Sequence, residues 1–230
     1  TFPPSKKVTR SQVMDKYKMV FAHDRVGRMV DAQVFEDLAF PRERFSEELL
    51  EELALEASRS ITITETDVII HHLYTERRVY PLDLYLHEMP DDLILAATLD
   101  YGQAIKDLCA ANIFPGDLFT KNFGVTRHGS VVFYDYDELT LLQEVTFRAI
   151  PEARSLEDEM SSQPWFAVDP NDVFPEEFKK FFRFPEVVKS SFDKTHGDLC
   201  DPEAWIEMQK QHEGVEAPEF FPYPEEVRFL

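Results

Sequence analysis

A chain of 230 residues, 43% of them hydrophobic and 13% aromatic, can bury a sizeable core in one large or two small domains, which excludes a disordered tail. A formal net charge of −20 argues against a nucleic-acid partner, because binding through phosphates needs a basic face. No apolar run approaches the roughly 18–20 residues of a membrane span, and the cysteines, Cys109 and Cys200, fit neither a disulfide framework nor a zinc site, so a cytoplasmic chain with no membrane partner is expected.

The charge is uneven. Residues 1–30 carry seven Lys/Arg against two Asp, and the remainder is strongly acidic. In chain order, residues 9–22 place Val13, Tyr17 and Val20 at helical spacing, and residues 46–58 open with Ser46 as an N-cap followed by two acids, so two amphipathic helices are predicted. Between them Asp24–Leu38 is charge-rich, and Gly27 weakens any unbroken helix there. Ile61–Thr64 and Val68–Tyr74 read as strands, and a shorter run, Arg77–Tyr80, stops at Pro81. Residues 91–113 set Ile94, Ala97, Tyr101, Ile105 and Leu108 on one face of a long buried helix.

That helix stops where Phe114-Pro115-Gly116 forces a turn, which leaves Asp117 in a loop. Gly124 and His128-Gly129 then punctuate a hairpin of two short strands, about 122–126 and 130–135, with Asp135 at its end. Residues 151–182 read as a long ordered loop packed down by Trp165 and Phe166, with a helix near 175–183. A further helix is predicted at 201–213, and the acidic, Pro-rich end from Glu216 reads as an extended strap.

The stretch from Asp117 to Glu138 carries the chemistry. Metal-assisted phosphoryl transfer needs a carboxylate to orient or deprotonate the attacking hydroxyl, and hard oxygen ligands, usually an Asp with an Asn amide oxygen, to hold Mg²⁺ against nucleotide phosphates. Asp117 and Asn122 stand as D-x-x-x-x-N, and Asp135 follows a hairpin, the order found in kinase-like folds. A bland alternative has Asp117 capping a turn, Asn122 in a left-handed bend and Asp135–Glu138 capping the next element. It does not explain three acids within four residues of an apolar strand end, which is costly without a cation. His196-Gly197-Asp198-Leu199 offers a rival string, HGDL, but Glu203 stands where the Asn should be and no apolar strand ending in Asp follows, so it is read as a helix-capping loop. His71-His72 in a strand point to opposite faces and cannot share a metal. The seven glycines form neither a P-loop nor a Rossmann fingerprint.

NIFPGDLFTKNFGVTRHGSVVFYDYDE, with HDRVGRM at 23–29, HLYTERR at 72–78 and QPWFAVDPNDVFPEEF at 163–178, resembles the bacterial bifunctional isocitrate dehydrogenase kinase/phosphatase family from about residue 2 to at least 206. The resemblance implies an α+β, protein-kinase-like fold, with residues 1–82 a partial N-lobe and hinge and 83–230 a helical C-lobe. It implies an enzyme that phosphorylates a serine of isocitrate dehydrogenase and removes that phosphate, using ATP or ADP with Mg²⁺ or Mn²⁺, to direct carbon into the glyoxylate bypass. By the same resemblance Asp117 is the kinase catalytic acid, Asn122 and Asp135 hold metal, Asp137 serves the phosphatase reaction, and Asp31 is a further active-site acid. Glu76, Arg77 and Arg78 fall near the hinge beside adenine. The family's glycine-rich loop, lysine-bearing strand and regulatory domain match no residue here, so the chain is expected to be the C-terminal part of a longer protein. Two other readings are a phosphotransferase acting on a small-molecule hydroxyl and a catalytically incomplete pseudokinase-like module.

Overall fold

A computed structural model describes residues 10–23, 27–30, 32–136, 138–156, 160 and 164–214. Mixed helices and small sheets give an α+β architecture in two compact parts, one of residues 31–77 and the other of 1–30 with 78–230.

In the smaller part β1 (Ala32–Pro41), β2 (Ile61–Ile63) and β3 (Asp67–Glu76) form an antiparallel sheet of order β1-β3-β2. Helix α2 (Glu47–Glu56) starts at the predicted cap: Ser46 Oγ accepts from the Leu49 amide at 3.2 Å, and Glu47 and Glu48 favour the positive end of the helix. Strand β1 lies in the stretch read as irregular. Residues 33–37 are all exposed, so no in-out alternation marked it; long pairing with β3, from Ala32 opposite Glu76 to Pro41 opposite Asp67, holds it instead. His71 Nδ1 meets Asp37 at 2.7 Å and His72 Nδ1 meets Glu36 at 3.6 Å, so the paired histidines face different partners.

The larger part is organised by α4 (Asp91–Ala110), whose Ile94, Ala97, Tyr101, Ile105 and Leu108 are buried as the periodicity predicts. It ends three residues before the predicted boundary, because Ile113–Phe114 (β5) pair antiparallel with Thr140–Leu141 (β8). The Tyr101 ring meets Phe123 at 4.8 Å and Phe184 at 5.8 Å, while the fully buried Trp205 stacks on Phe147 at 4.9 Å and anchors its indole N–H on the Leu199 carbonyl at 2.8 Å. Truncating such a ring to Ala costs about 3–5 kcal/mol. Helix α1 (Arg10–His23) buries Val20 in this core; the side chain of Val13 lies outside the described residues.

Several elements differ from the sequence reading. Of the expected strand 77–80 only Tyr80 pairs, as part of β4 (Tyr80–Pro81). Helix α3 (Leu82–Glu88) follows at once; with only Leu82 and Leu86 buried it is too short to show a period. The loop 151–182 contains Asp172–Val173 (β10), which pairs in parallel with Thr146–Phe147 (β9), and the helix near 175–183 shrinks to a 3-10 turn and the single turn α5 (Phe178–Phe181). Helix α6 (Glu186–His196) is built from weak helix formers such as Val, Ser and Thr, and the burial of Val188, Phe192 and His196 sustains it. The HGDL string is the end of α6 and a 3-10 turn, not the start of a catalytic loop. Helix α7 (Pro202–Lys210) falls within the predicted 201–213, and the strap from Glu216 lies outside the described residues.

Candidate active site

The predicted hairpin forms as β6 (Phe123–Val125) and β7 (Val131–Phe133), registered Phe123 opposite Phe133 and extended by β4 on the other side of β6. Its turn closes through Gly129, at a positive φ of 84°. The second strand stops at Phe133, so Tyr134, Asp135 and Tyr136 run on from a fixed end.

The loop carrying Asp117 is fastened at several points. Gly116, at φ 79°, packs against the backbone of Glu138, and a side chain there would meet the Glu138 carbonyl at 2.5 Å. Asp117 Oδ1 accepts the Phe119 amide at 2.9 Å, a local turn that fixes the carboxylate. The buried Tyr101 hydroxyl donates to the Leu118 carbonyl and ties the loop to α4; burial, and then the charge of Asp117, raise its pKa and keep it a donor. Residues Thr120–Asn122 form a 3-10 turn, and the Asn122 carbonyl accepts the Tyr134 amide at 3.1 Å. Loop and strand end are thus joined one residue before Asp135. The bland reading put Asn122 in a left-handed bend. Among the described non-glycine residues that conformation belongs to Asp37 and Asn112 instead.

The Asn122 side chain is buried and points its amide nitrogen at the Asp117 carbonyl, 3.5 Å away; among the described residues its oxygen accepts no hydrogen bond. Asp135 is half-buried and has no hydrogen bond or ion pair among the described residues. Burial raises the pKa of Asp117, and the nearby Asp135 raises it further, against the lowering effects of the Phe119 amide, Lys121 and Asn122. Asp83 on α3 adds a third carboxylate: its Oδ1 is buried without a hydrogen-bond partner among the described residues, and its charge, with burial before it and Asp135 after it, raises the pKa of Tyr134.

The structure therefore brings together Asp117, Asn122 and Asp135. Glu76 ends β3, and Arg77 and Arg78 are exposed and irregular where the chain passes from one compact part to the other. Asp31 and Asp137 lie outside the described residues. Among the described residues no group of three or more His, Cys, Asp or Glu is arranged to hold a metal. A donor set of one carboxylate and one amide oxygen still fits Mg²⁺, which takes one or two protein oxygens and fills its octahedron with phosphate and water.

Sequence reading missed the supports. Arg28 is gripped by Asp100, bidentate at 2.8 Å, and by Asp107 at 2.8 Å, and it donates to the Val131 carbonyl at 3.0 Å. Asp100 also accepts the Val131 amide at 2.6 Å. Phe133 donates to the Arg28 carbonyl at 2.7 Å, and Met29 bridges Phe133 in parallel. The only hint was a pair of acids on the face of α4 beside the core.

The family described as "Isocitrate dehydrogenase kinase/phosphatase (AceK) kinase domain" matches residues 1–225. The chain belongs to that family. It is similar to isocitrate dehydrogenase kinase/phosphatase of Anaeromyxobacter sp. (strain Fw109-5), 48% identical over 229 residues and covering 100% of this chain and 40% of the relative. Proteins of the same name from Polaromonas naphthalenivorans and Yersinia pestis are 46% and 47% identical, each over 99% of this chain and 39% and 40% of their own length. The chain thus spans about two fifths of the curated relatives it matches.

Proposed function

We propose that this chain carries the phosphoryl-transfer site of a cytoplasmic, protein-kinase-like enzyme that phosphorylates a serine of isocitrate dehydrogenase with ATP and also removes that phosphate, governing entry into the glyoxylate bypass. The names of the relatives support the substrate and both directions of reaction. The observation that carries the reading is Asp117, fixed in its loop beside an Asn122 oxygen and an Asp135 carboxylate that have no partner among the described residues.

In the forward direction the seryl oxygen forms a bond to the γ-phosphorus as the bond to ADP breaks. Asp117 accepts the seryl proton, and its raised pKa brings it nearer to that task. Asn122 and Asp135 would hold Mg²⁺, which when bound neutralises charge on the phosphates. In the reverse direction water attacks the phosphoserine phosphorus, releasing the serine hydroxyl and phosphate. Asp137, two residues beyond Asp135, is proposed to position that water, with Asp31 in the same site. Glu76, Arg77 and Arg78 are proposed to lie beside the adenine.

The test is transfer of the γ-phosphate to purified isocitrate dehydrogenase by the full polypeptide, wild type against Asp117→Asn. The Asn keeps the turn to Phe119 but cannot take the proton. A fall in kcat of about a hundred- to ten-thousandfold with nucleotide binding retained is expected. Wild-type turnover in Asp117→Asn would overturn the assignment.

A further inference from the structure

Tyr136 stands between two acids, yet its ring is turned inward and its exposure is only 4%. It meets Tyr17 of α1 edge-on at 5.1 Å and Phe133 at 5.7 Å. A phenylalanine would fill that space equally well, so packing alone does not account for the hydroxyl. Burying a phenol is costly unless its oxygen is satisfied. Here the oxygen accepts the Val30 amide at 2.8 Å and donates to the Val30 carbonyl, also at 2.8 Å. The Phe133 carbonyl is farther, at 3.4 Å, and a hydroxyl has one proton to give.

Both main-chain polar groups of one residue are thus met by one side chain 106 positions away. The ladder between 28–30 and the hairpin consists of a single parallel bridge, Met29 with Phe133, and beyond it the phenol takes the place of a continuing strand. Tyr136 is the residue after Asp135. The backbone beside that carboxylate is therefore fastened to the segment that ends at Val30.

We infer that Tyr136 is a positioning residue, whose hydroxyl clasps the Val30 backbone to the end of β7 and so holds the adjacent Asp135 carboxylate in place. The inference rests on the phosphoryl-transfer reading above. Tyr136 touches no reacting atom. It removes freedom from the Asp135 carboxylate before substrate arrives, and small displacements of such a group are expensive in rate.

The experiment uses the full polypeptide and Tyr136→Phe, which keeps the ring and deletes the clasp. Amide hydrogen exchange at Val30 reads the clasp directly, and kcat with KM for ATP reads its effect on the site. Exchange at Val30 should quicken, and kcat should fall about tenfold, the equivalent of one hydrogen bond, while KM for ATP stays within about twofold. Should Tyr136→Phe fold poorly, site-specific 4-aminophenylalanine at 136 keeps a donor to the Val30 carbonyl but accepts the Val30 amide only weakly, and exchange at Val30 should again quicken. Unchanged Val30 exchange or unchanged kcat in the variant that folds would each overturn this inference alone. A wild-type polypeptide that transfers no phosphate would overturn the functional reading and this inference with it, and Val30 exchange would still report whether the clasp exists.

Discussion

Two groups of acids in the larger part of the molecule meet opposite fates. Asp100 and Asp107 on α4 share one guanidinium, and each accepts a further hydrogen bond, Asp100 from the Val131 amide and Asp107 from Gln103 at 2.8 Å. Asp117 and Asp135 face each other's charge, and among the described residues neither forms an ion pair, Lys121 acting on Asp117 only as a nearby charge. The first group contains its counter-ion and stiffens the hairpin. The second is left without a paired counter-ion among the described residues, with Asp117 held by the Phe119 amide and Asp135 carried on the end of β7. An acid cluster alone says little about function; whether the fold itself neutralises the cluster says much more.

The comparison breaks most visibly at Arg28. Hydrogen bonding to Asp100, opposed by burial and helped by Asp107, raises its pKa, so it remains charged throughout the accessible pH range. Arg28→Met strands two partly buried carboxylates, which costs about 2–4 kcal/mol, or about 5–12 °C in Tm for a chain of this size. Arg28→Lys restores a charge but not the fork that serves both acids, so it should recover only part of the loss. A Tm within about 2 °C of wild type for Arg28→Met, by calorimetry, would show that the network is not the support described here.

At the other group the sign reverses. Asp135→Asn removes a like charge beside Asp117, and in the absence of nucleotide Tm should stay level or rise by about 1 °C, allowing for solvent screening. The wild-type polypeptide should gain about 5–10 °C from Mg²⁺-ATP at a hundredfold excess over its Kd, and Asp135→Asn should lose most of that gain. Equal gains in the two proteins would overturn the proposal that Asp135 holds the metal.

The open group was legible in the sequence and the closed one was not. Asp117, Asn122 and Asp135 lie within 19 residues, punctuated by Pro115, Gly116, Gly124 and Gly129, so local turn chemistry and strand period placed them. The long helix α4 announced itself by burial at helical spacing over five turns. Arg28 meets partners 72 and 79 positions away and Tyr136 meets Val30 across 106, and no local pattern encodes such pairings. Strand β1 hid for a related reason, since long-range pairing rather than burial defines it. Helix α6 hid because tertiary packing overrides its weak propensity. Asp31, read by resemblance, and Asp137, read from the crowded strand end with its role given by resemblance, lie outside the described residues.

The smallest effect tests the packing beneath the support. His196 is buried where α6 lies on α4, and it sits so close to Gly102 that a Cβ there would meet the imidazole at 2.4 Å. Among the described residues its Nδ1 has no partner that meets hydrogen-bond geometry. Burial, and then the charge of Lys106, push its pKa below the ordinary histidine value, with the Leu99 carbonyl and Asp198 acting weakly the other way. The unfolded chain therefore takes up a proton at a pH where the folded chain still refuses it. Stability tied to His196 is fully present above the unfolded pKa and is lost as pH falls from there toward the lower folded value. Between about pH 7 and about pH 5.5 the wild type should lose about 1–3 °C in Tm more than His196→Asn loses, even if the variant is less stable at every pH. Because every other residue is common to both proteins, the difference between the two curves isolates this one. Parallel curves would mean that the imidazole is protonated in place without cost, and that the α4–α6 contact is looser than its close approach to Gly102 implies.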